Sequence, residues 1–299
     1  MAAGCDWGHH SWFQFEGWRC HWRQLGSTDA PPVVLLHGFG ASSGHWRGNA
    51  TALAEAGYCV YAIDLLGFGA SDQRPQRLDN RLWSRQLSWF LQQVVQRPAL
   101  LVGNSIGGLV ALTTAVFSPQ WVHAVVAAPL PDPTLLQPLP LRRAPWRRRL
   151  QRWLVLLVSR LLPLGPLVAL LRQPRLIRMG LASAYAQRQR IDAELVQLIR
   201  TPARRSGAAK ALAAMVRGMA LRPAAATAPR LLPRLQQPLL LLWGRNDRLV
   251  PGAIATRVLH FGHGELQWLE GLGHCPHDED PERFNTALLG WLQRHTPDT

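Results

Sequence analysis

Residues 100–110, LLVGNSIGGLV, decide the fold. An apolar run breaks at Gly103-Asn104-Ser105-Ile106-Gly107 and resumes in a helix-like pattern, so a strand turns sharply into a helix with a serine at the turn. Small residues two before and two after the serine let the backbone turn without collision, and the hydroxyl projects as a usable nucleophile. The same turn puts the Ile106 N–H and a helix N-terminus beneath the serine, where an oxyanion is favoured. Alone, the five-residue pattern is a weak signal. Here residues 99–102 read as a buried strand and residues 108–116 as a tightly packed helix, so the context is right on both sides.

Upstream, residues 32–36 (PVVLL) form a continuous apolar run of the kind a strand buried on both faces shows. The run ends in His37-Gly38-Phe39-Gly40, whose glycines let the backbone face a substrate and make the Phe39 N–H the natural second oxyanion donor. Residues 11–24, rich in aromatics around Glu16-Gly17, read as a hairpin with its tryptophans packed on a sheet edge. Residues 46–56 and 81–95 carry helical spacing, and residues 58–63 and 121–127 read as further strands. The glycine-punctuated loop from Asp64 to Asp72 precedes the elbow, so Asp64 is read as a pin for that loop and not as a catalytic acid. Strands and helices alternating through short joints indicate an α/β fold with a mostly parallel sheet covered by helices on both faces.

Downstream, the strand at residues 238–244 is followed by Asp247, and the strand at 264–269 by Gly273-His274. A group just past a strand's carboxyl end lies on the same rim as the elbow serine. The order Ser105, Asp247, His274 is the order in which a nucleophile-elbow fold delivers its triad. Asp132 also follows a strand and is the rival acid; His277, beyond Pro276, is expected at the surface or in a supporting role.

The 299 residues, 47% of them hydrophobic, suffice for one large α/β core and an insertion. The core is expected over residues 1–128 and 236–299, with an insertion at 129–235. That insertion opens with a proline-rich stretch and continues basic and leucine-rich. Between Arg142 and Arg234 stand 20 Arg/Lys against two acids, a formal +18; since the whole chain carries +15, the rest amounts to −3. Residues 153–171 approach transmembrane length, but Arg160, Pro163, Gly165 and Pro166 interrupt them. The expectation is a lid of short helices over the serine, apolar toward a substrate cavity and arginine-rich toward anionic headgroups; the alternative is a cap whose leucines pack only on one another. Basic residues interleaved with leucine make no recognisable fold for bases, so no nucleic-acid partner is expected. Cys5, Cys20, Cys59 and Cys275 share no metal-ligand spacing, and the N-terminus lacks the basic patch and apolar run of a secretory signal, so an intracellular, reducing compartment is expected.

With these residues in hand, the sequence resembles the α/β-hydrolases through nearly all of the chain outside the insertion. More narrowly, Gly38-Phe39-Gly40-Ala41-Ser42, His45-Trp46-Arg47, Ile63-Asp64-Leu65-Leu66-Gly67, Asn104-Ser105-Ile106-Gly107-Gly108-Leu109-Val110 and Gly273-His274-Cys275-Pro276-His277-Asp278-Glu279 resemble the chlorophyll dephytylase and pheophytinase group of plant plastids. The resemblance implies hydrolysis of the phytyl ester of a chlorophyll-type pigment at a thylakoid membrane by Ser105, His274 and Asp247. The chain departs from that group in lacking a plastid transit peptide, which suggests a cyanobacterial relative, and in its arginine-rich insertion. Serine at position 105 separates it from relatives with an aspartate nucleophile, such as haloalkane dehalogenases and epoxide hydrolases. The expected chemistry is acyl transfer to water, His274 taking the Ser105 proton, Asp247 orienting His274, and the Phe39 and Ile106 N–H groups holding the oxyanion. It needs no metal or organic cofactor. Expected partners are a hydrophobic ester and, through the insertion, the surface of an anionic membrane. Two other readings stay open: a lipase, carboxylesterase or acyltransferase acting on a lipid ester, and a hydrolase-shaped assembly protein of pigment metabolism that does not turn over.

Overall fold

The computed structural model describes residues 4–73, 77–136, 153, 164–170, 172–261 and 264–296. Eight strands make one sheet: β1 (His9–Phe15), β2 (Trp18–Leu25), β3 (Pro32–Leu36), β4 (Cys59–Ile63), β5 (Ala99–Gly103), β6 (Val122–Ala127), β7 (Leu239–Gly244) and β8 (Gly264–Leu269), in the order β1-β2-β4-β3-β5-β6-β7-β8. β1 and β2 form the antiparallel hairpin, β2 pairs antiparallel with β4, and the pairs from β4 to β8 are parallel. Every residue of β3, β4, β5 and β7 is buried, as their unbroken apolar runs require of strands covered on both faces. Alternation along β3 divides the core: Val34 and Leu36 pack with Trp83, Phe90 and Leu109 on one face, Val33 and Leu35 with Trp46, Phe284 and Trp291 on the other. Burying each such leucine or valine contributes about 1.5–3 kcal/mol.

The helix at Ile106–Phe117 is buried from Gly107 to Val116, wedged between the sheet and the helix at Asn80–Phe90. The latter begins where the Asp79 carboxylate accepts the Arg81 and Leu82 N–H groups, and it ends in a wider turn at Leu91–Val95. Residues 46–56 are not one helix: a short turn at Ser43–Trp46 and a helix at Ala50–Glu55 flank Gly48, where any side chain would strike Pro281. Nor are all the hairpin tryptophans packed. Trp18 is buried, but Trp12 is 40% exposed beneath the Arg19 guanidinium, on the strand at the sheet edge.

Register carries the site. Leu36 pairs with Gly103 and Ile63, Gly103 with Ala127, and Gly244 with Leu269, so β3, β5, β6, β7 and β8 end along one rim. Between β6 and β7 the chain leaves the sheet and forms helices at Leu164–Leu170, Pro174–Ala184, Ala193–Ala203 and Ala208–Ala220. Ile177, Tyr185, Leu195 and Val196 make a small core there, closed by Cys275. Polar contacts fasten the segment to the rim: Arg47 reaches Asp192 and Glu194, Arg222 donates to Asp132 at 2.8 Å, and Arg205 donates to the Gly69 and Ser71 carbonyls. Arg142, Arg143, Arg147, Arg148, Arg149 and Arg152 lie outside the described residues, as does most of the 153–163 stretch. Among the described residues no helix is long and apolar enough to cross a membrane.

Asp64 ties the loop after β4 to its surroundings. One oxygen accepts the His21 Nδ1 proton (2.9 Å) and the Ala70 N–H (2.8 Å), and the other accepts the Ser43 N–H (2.6 Å). Burial alone would raise this carboxyl, but the hydrogen bonds and charge of His21, with His37 and Ser43 behind them, outweigh it and hold the group well below the usual carboxylate range. A depressed carboxyl stabilises the fold above the pH at which the unfolded group titrates, roughly pH 4, and that contribution is lost as pH falls through the folded value. Asp64→Asn should therefore lower the melting temperature at pH 7 by roughly 5–10 °C. The gap from the unsubstituted protein should narrow as the scan is repeated below about pH 4.

Candidate active site

Ser105 sits between β5 and its helix with φ 53° and ψ −120°, a left-handed backbone that a non-glycine residue holds only when its neighbours force it. They do so by close approach: a Cβ on Gly107 would land on the Leu36 carbonyl, and one on Gly103 on the backbone of Gly107 and Gly108. The serine thus stands at the start of the helix, over a turn that two glycines allow. Asn104 fixes the same turn from its other side, its N–H donating to Leu36 O and its Nδ2 to Ala128 O (2.6 Å) and His274 O (3.1 Å). One amide therefore joins the ends of β5 and β6 to the loop that carries the histidine.

His274 Nδ1 lies 2.9 Å from Asp247 Oδ2. The other carboxylate oxygen accepts the N–H groups of Leu249 (2.8 Å) and Val250 (2.9 Å), so Asp247 is held by its own loop in the pose that meets the ring. An acceptor on Nδ1 places the proton there and leaves Nε2 free to take one. Ser105 and His274 line the same cavity; among the described residues Ser105 Oγ has no hydrogen-bond partner, and hydrogen bonds of this kind often close only when substrate is bound. Likewise the Phe39 and Ile106 N–H groups have no acceptor among the described residues, and both residues flank the serine.

His37, the residue before the Phe39 loop, is a strut. Its Nδ1–H donates to Gly38 O and its Nε2 accepts the Leu65 N–H at 3.0 Å, an arrangement open only to the neutral ring, which burial favours. It ties the loop after β3 to the loop pinned by Asp64. The rival acid Asp132 is fully committed elsewhere: Arg222, the Ala228 N–H and both Thr134 donors occupy its oxygens. His277 is not at the surface. It is fully buried against Trp46, with Nε2 toward His45 Nδ1 at 3.3 Å. Pro276 starts a short helix that turns it inward, away from the rim.

Sequence reasoning missed the chain of groups behind this corner. Tyr185 donates to Asp278 (2.8 Å) and receives His45 Nε2–H (2.9 Å), so His45 Nδ1 accepts from His277 Nε2–H and every ring is neutral. Burial enforces that, pushing His45 down to about 4 and His277 well below its ordinary value. Arg47 completes the set with a two-pronged contact to Asp278. The signal was present in the sequence, as His45-Trp46-Arg47 and His277-Asp278, but no periodicity says that they meet.

The cavity above Ser105 is about 340 Å³. Its walls are almost wholly apolar, with Phe39, Phe68 and Leu249 from the core facing Ile177, Leu181 and Met215 from the insertion. Phe39, Leu249 and Met179 remain at least half exposed, Met179 on the outer side of the helix Pro174–Ala184.

Residues 33–287 match the model of the Alpha/beta hydrolase family. The chain is 25% identical to a 2-hydroxy-6-oxononadienedioate/2-hydroxy-6-oxononatrienedioate hydrolase of a Pseudomonas species, over 88% of each chain. It is 27% identical to the chloroplastic pheophytinase of Arabidopsis thaliana, over 92% of this chain and 64% of that one. Among solved structures it is similar to a bacterial membrane phospholipase A, with a TM-score of 0.75 and 25% identity over 97% of this chain and 87% of that one. The names differ in substrate. With its mostly parallel eight-stranded sheet and its serine elbow, the chain belongs to the alpha/beta hydrolase family.

Proposed function

We propose that this hydrolase cleaves a carboxylic ester bearing a long apolar chain, with the phytyl ester of chlorophyll or a related pigment as its substrate. The observation that carries the reading is the meeting, in one apolar cavity, of an elbow serine and a histidine bonded to a buried carboxylate. Ser105 Oγ attacks the ester carbonyl while His274 Nε2 takes its proton, and the N–H groups of Phe39 and Ile106 receive the oxyanion. Collapse breaks the bond to the alcohol, which leaves with the proton from His274, and the acyl group stays on Ser105. Water then attacks the acyl-serine by the same path and releases the acid. No step calls for a metal or an organic cofactor.

The cavity supports an apolar chain. Its volume is at the low end of ligand sites, roughly 300–1,000 Å³, which suits one chain better than a whole pigment. Each buried CH₂ contributes about 0.8 kcal/mol, so a phytyl group would dominate selection, with the ring system left at the mouth against Phe39 and Leu249. The resemblance of the Asn104-Ser105 and Gly273-His274-Cys275-Pro276 stretches to dephytylases and the likeness to pheophytinase point to the pigment. A lipid ester is the second reading, favoured by the structural likeness to the phospholipase.

Such substrates sit in bilayers. The outer side of the Pro174–Ala184 helix presents Arg175, Arg178 and Met179, while Ile177 and Leu181 line the cavity. We take the 129–235 insertion as a lid that rests on an anionic, thylakoid-like membrane, each arginine near the surface contributing about 1 kcal/mol.

Incubating the purified protein with chlorophyll, pheophytin and a simple long-chain ester, then separating acids from intact esters, decides the substrate. Release of phytol supports the first reading, and cleavage of the simple ester alone supports the second. Ser105→Ala should lower turnover by roughly 10⁴-fold, and Asp247→Asn by a similar factor without loss of fold, since Asn keeps the oxygen that accepts Leu249 and Val250. Asp132→Asn should instead lower the melting temperature and spare turnover of the folded fraction; the reverse pattern would exchange the two acids. Replacing Arg142, Arg143, Arg147, Arg148, Arg149 and Arg152 by glutamine should release the protein from anionic liposomes with hydrolysis of a small soluble ester nearly intact. Retention of that variant through a high-salt wash would overturn an electrostatic lid contact.

A further inference from the structure

We propose that Glu279 is a positioning residue that makes the pose of His274 depend on how the base of the insertion is seated; the proposal rests on His274 acting as described above. Glu279 is fully buried, and among the described residues no cation pairs with it. Its carboxylate is met by backbone donors alone. Oε1 accepts the N–H groups of Gly273 (2.9 Å) and Cys275 (3.4 Å), the neighbours of His274 on either side. Oε2 accepts those of Ala186 (2.8 Å) and Gln187 (3.0 Å), just past the end of the helix Pro174–Ala184. The two oxygens of one side chain thus hold two segments that are far apart in sequence and touch nowhere in the sheet.

A second bond runs the same way. The N–H of His274 itself donates to Ala184 O at 2.7 Å, so the insertion meets the amide of the histidine. From the other side, Asn104 Nδ2 donates to His274 O. Gly273 permits the approach, since a Cβ there would strike Ala184 O and the Glu279 carboxylate. Ile177, Leu181 and Ala184, on the helix that ends in this clamp, also line the cavity. A substrate that presses on the helix therefore presses on the backbone that aims the imidazole. Such coupling gives the insertion a part in turnover beyond enclosing the chain.

Glu279→Gln keeps the shape but turns one carboxylate oxygen into an NH₂ group, which cannot accept the two N–H groups it faces. Gln187→Pro removes one of the two donors on the insertion side and leaves that of Ala186. For each variant we expect kcat per titrated active site on a small soluble ester to fall roughly 10- to 100-fold, with KM within about twofold, because a displaced imidazole harms transfer more than binding. The downfield proton resonance of His274 Nδ1–H on Asp247, assigned by its loss in His274→Ala, should shift or broaden in both. A folded variant with unchanged kcat per site and unchanged resonance, even at a lower melting temperature, marks Glu279 as a structural strut and overturns the proposal. If Glu279→Gln does not fold, Gln187→Pro decides alone. The resonance is read without substrate, so a protein that cleaves no ester would sink the proposed function while the clamp is still tested.

Discussion

Everything at the rim depends on the backbone of Ser105 being held at positive φ. Residues in such regions cost of order 1–3 kcal/mol and persist only where their surroundings over-determine them. Here the surroundings are a strand, a helix and two glycines: the Gly107 Cα packs directly on the Leu36 carbonyl of β3, and Gly103 on the first turn of the helix it feeds. A side chain at either position would strike that backbone and force the helix away from the sheet. The continuous apolar run of β5 and the fully buried helix after it supply the packing that offsets the strain.

Around that elbow the molecule solves a second problem, the burial of charge. Asp64, Asp132, Asp247, Asp278 and Glu279 are all withdrawn from water at or near one rim. Each has a distinct set of partners. His21 and backbone N–H groups hold Asp64; Arg222 holds Asp132; Arg47 and Tyr185 hold Asp278; backbone alone holds Glu279. Asp247 has its loop on one oxygen and an imidazole on the other, and that imidazole faces the cavity. A buried carboxylate whose partners are an arginine and backbone is stiff and inert. Asp64 also has a histidine partner, His21, but only the partner of Asp247, His274, lines the cavity where a proton could be exchanged with a bound molecule.

Segregation of charge has the same logic on a larger scale. The core outside residues 142–234 carries a formal −3, while that segment carries +18 within a chain of +15. Among the described residues, several of its arginines fasten the segment and others stand exposed. Arg172, Arg200, Arg205 and Arg222 donate to backbone carbonyls or to Asp132 and hold the segment together and to the rim. Arg178 donates to the Ile191 carbonyl as well, while Arg175, Arg188 and Arg190 stand exposed.

The elbow, the strands around it, the glycine loop at Phe39 and the placing of Ser105, Asp247 and His274 after their strands were legible in the sequence, because these depend on local rules: runs buried on both faces, glycines at tight approaches, and groups at the carboxyl ends of parallel strands. The sequence also showed the arginine excess and where it lies. What those groups touch came from the packing of the elements. That Asp132 belongs to Arg222, that His277 is buried beside Trp46, that residues 46–56 break at Gly48, and that Glu279 joins Gly273 and Cys275 to Ala186 and Gln187 all rest on contacts between segments tens to hundreds of residues apart. Periodicity reports which face of an element is apolar. It carries no information on which distant polar group will be brought opposite a buried carboxylate, because that partner is set by the packing of whole elements.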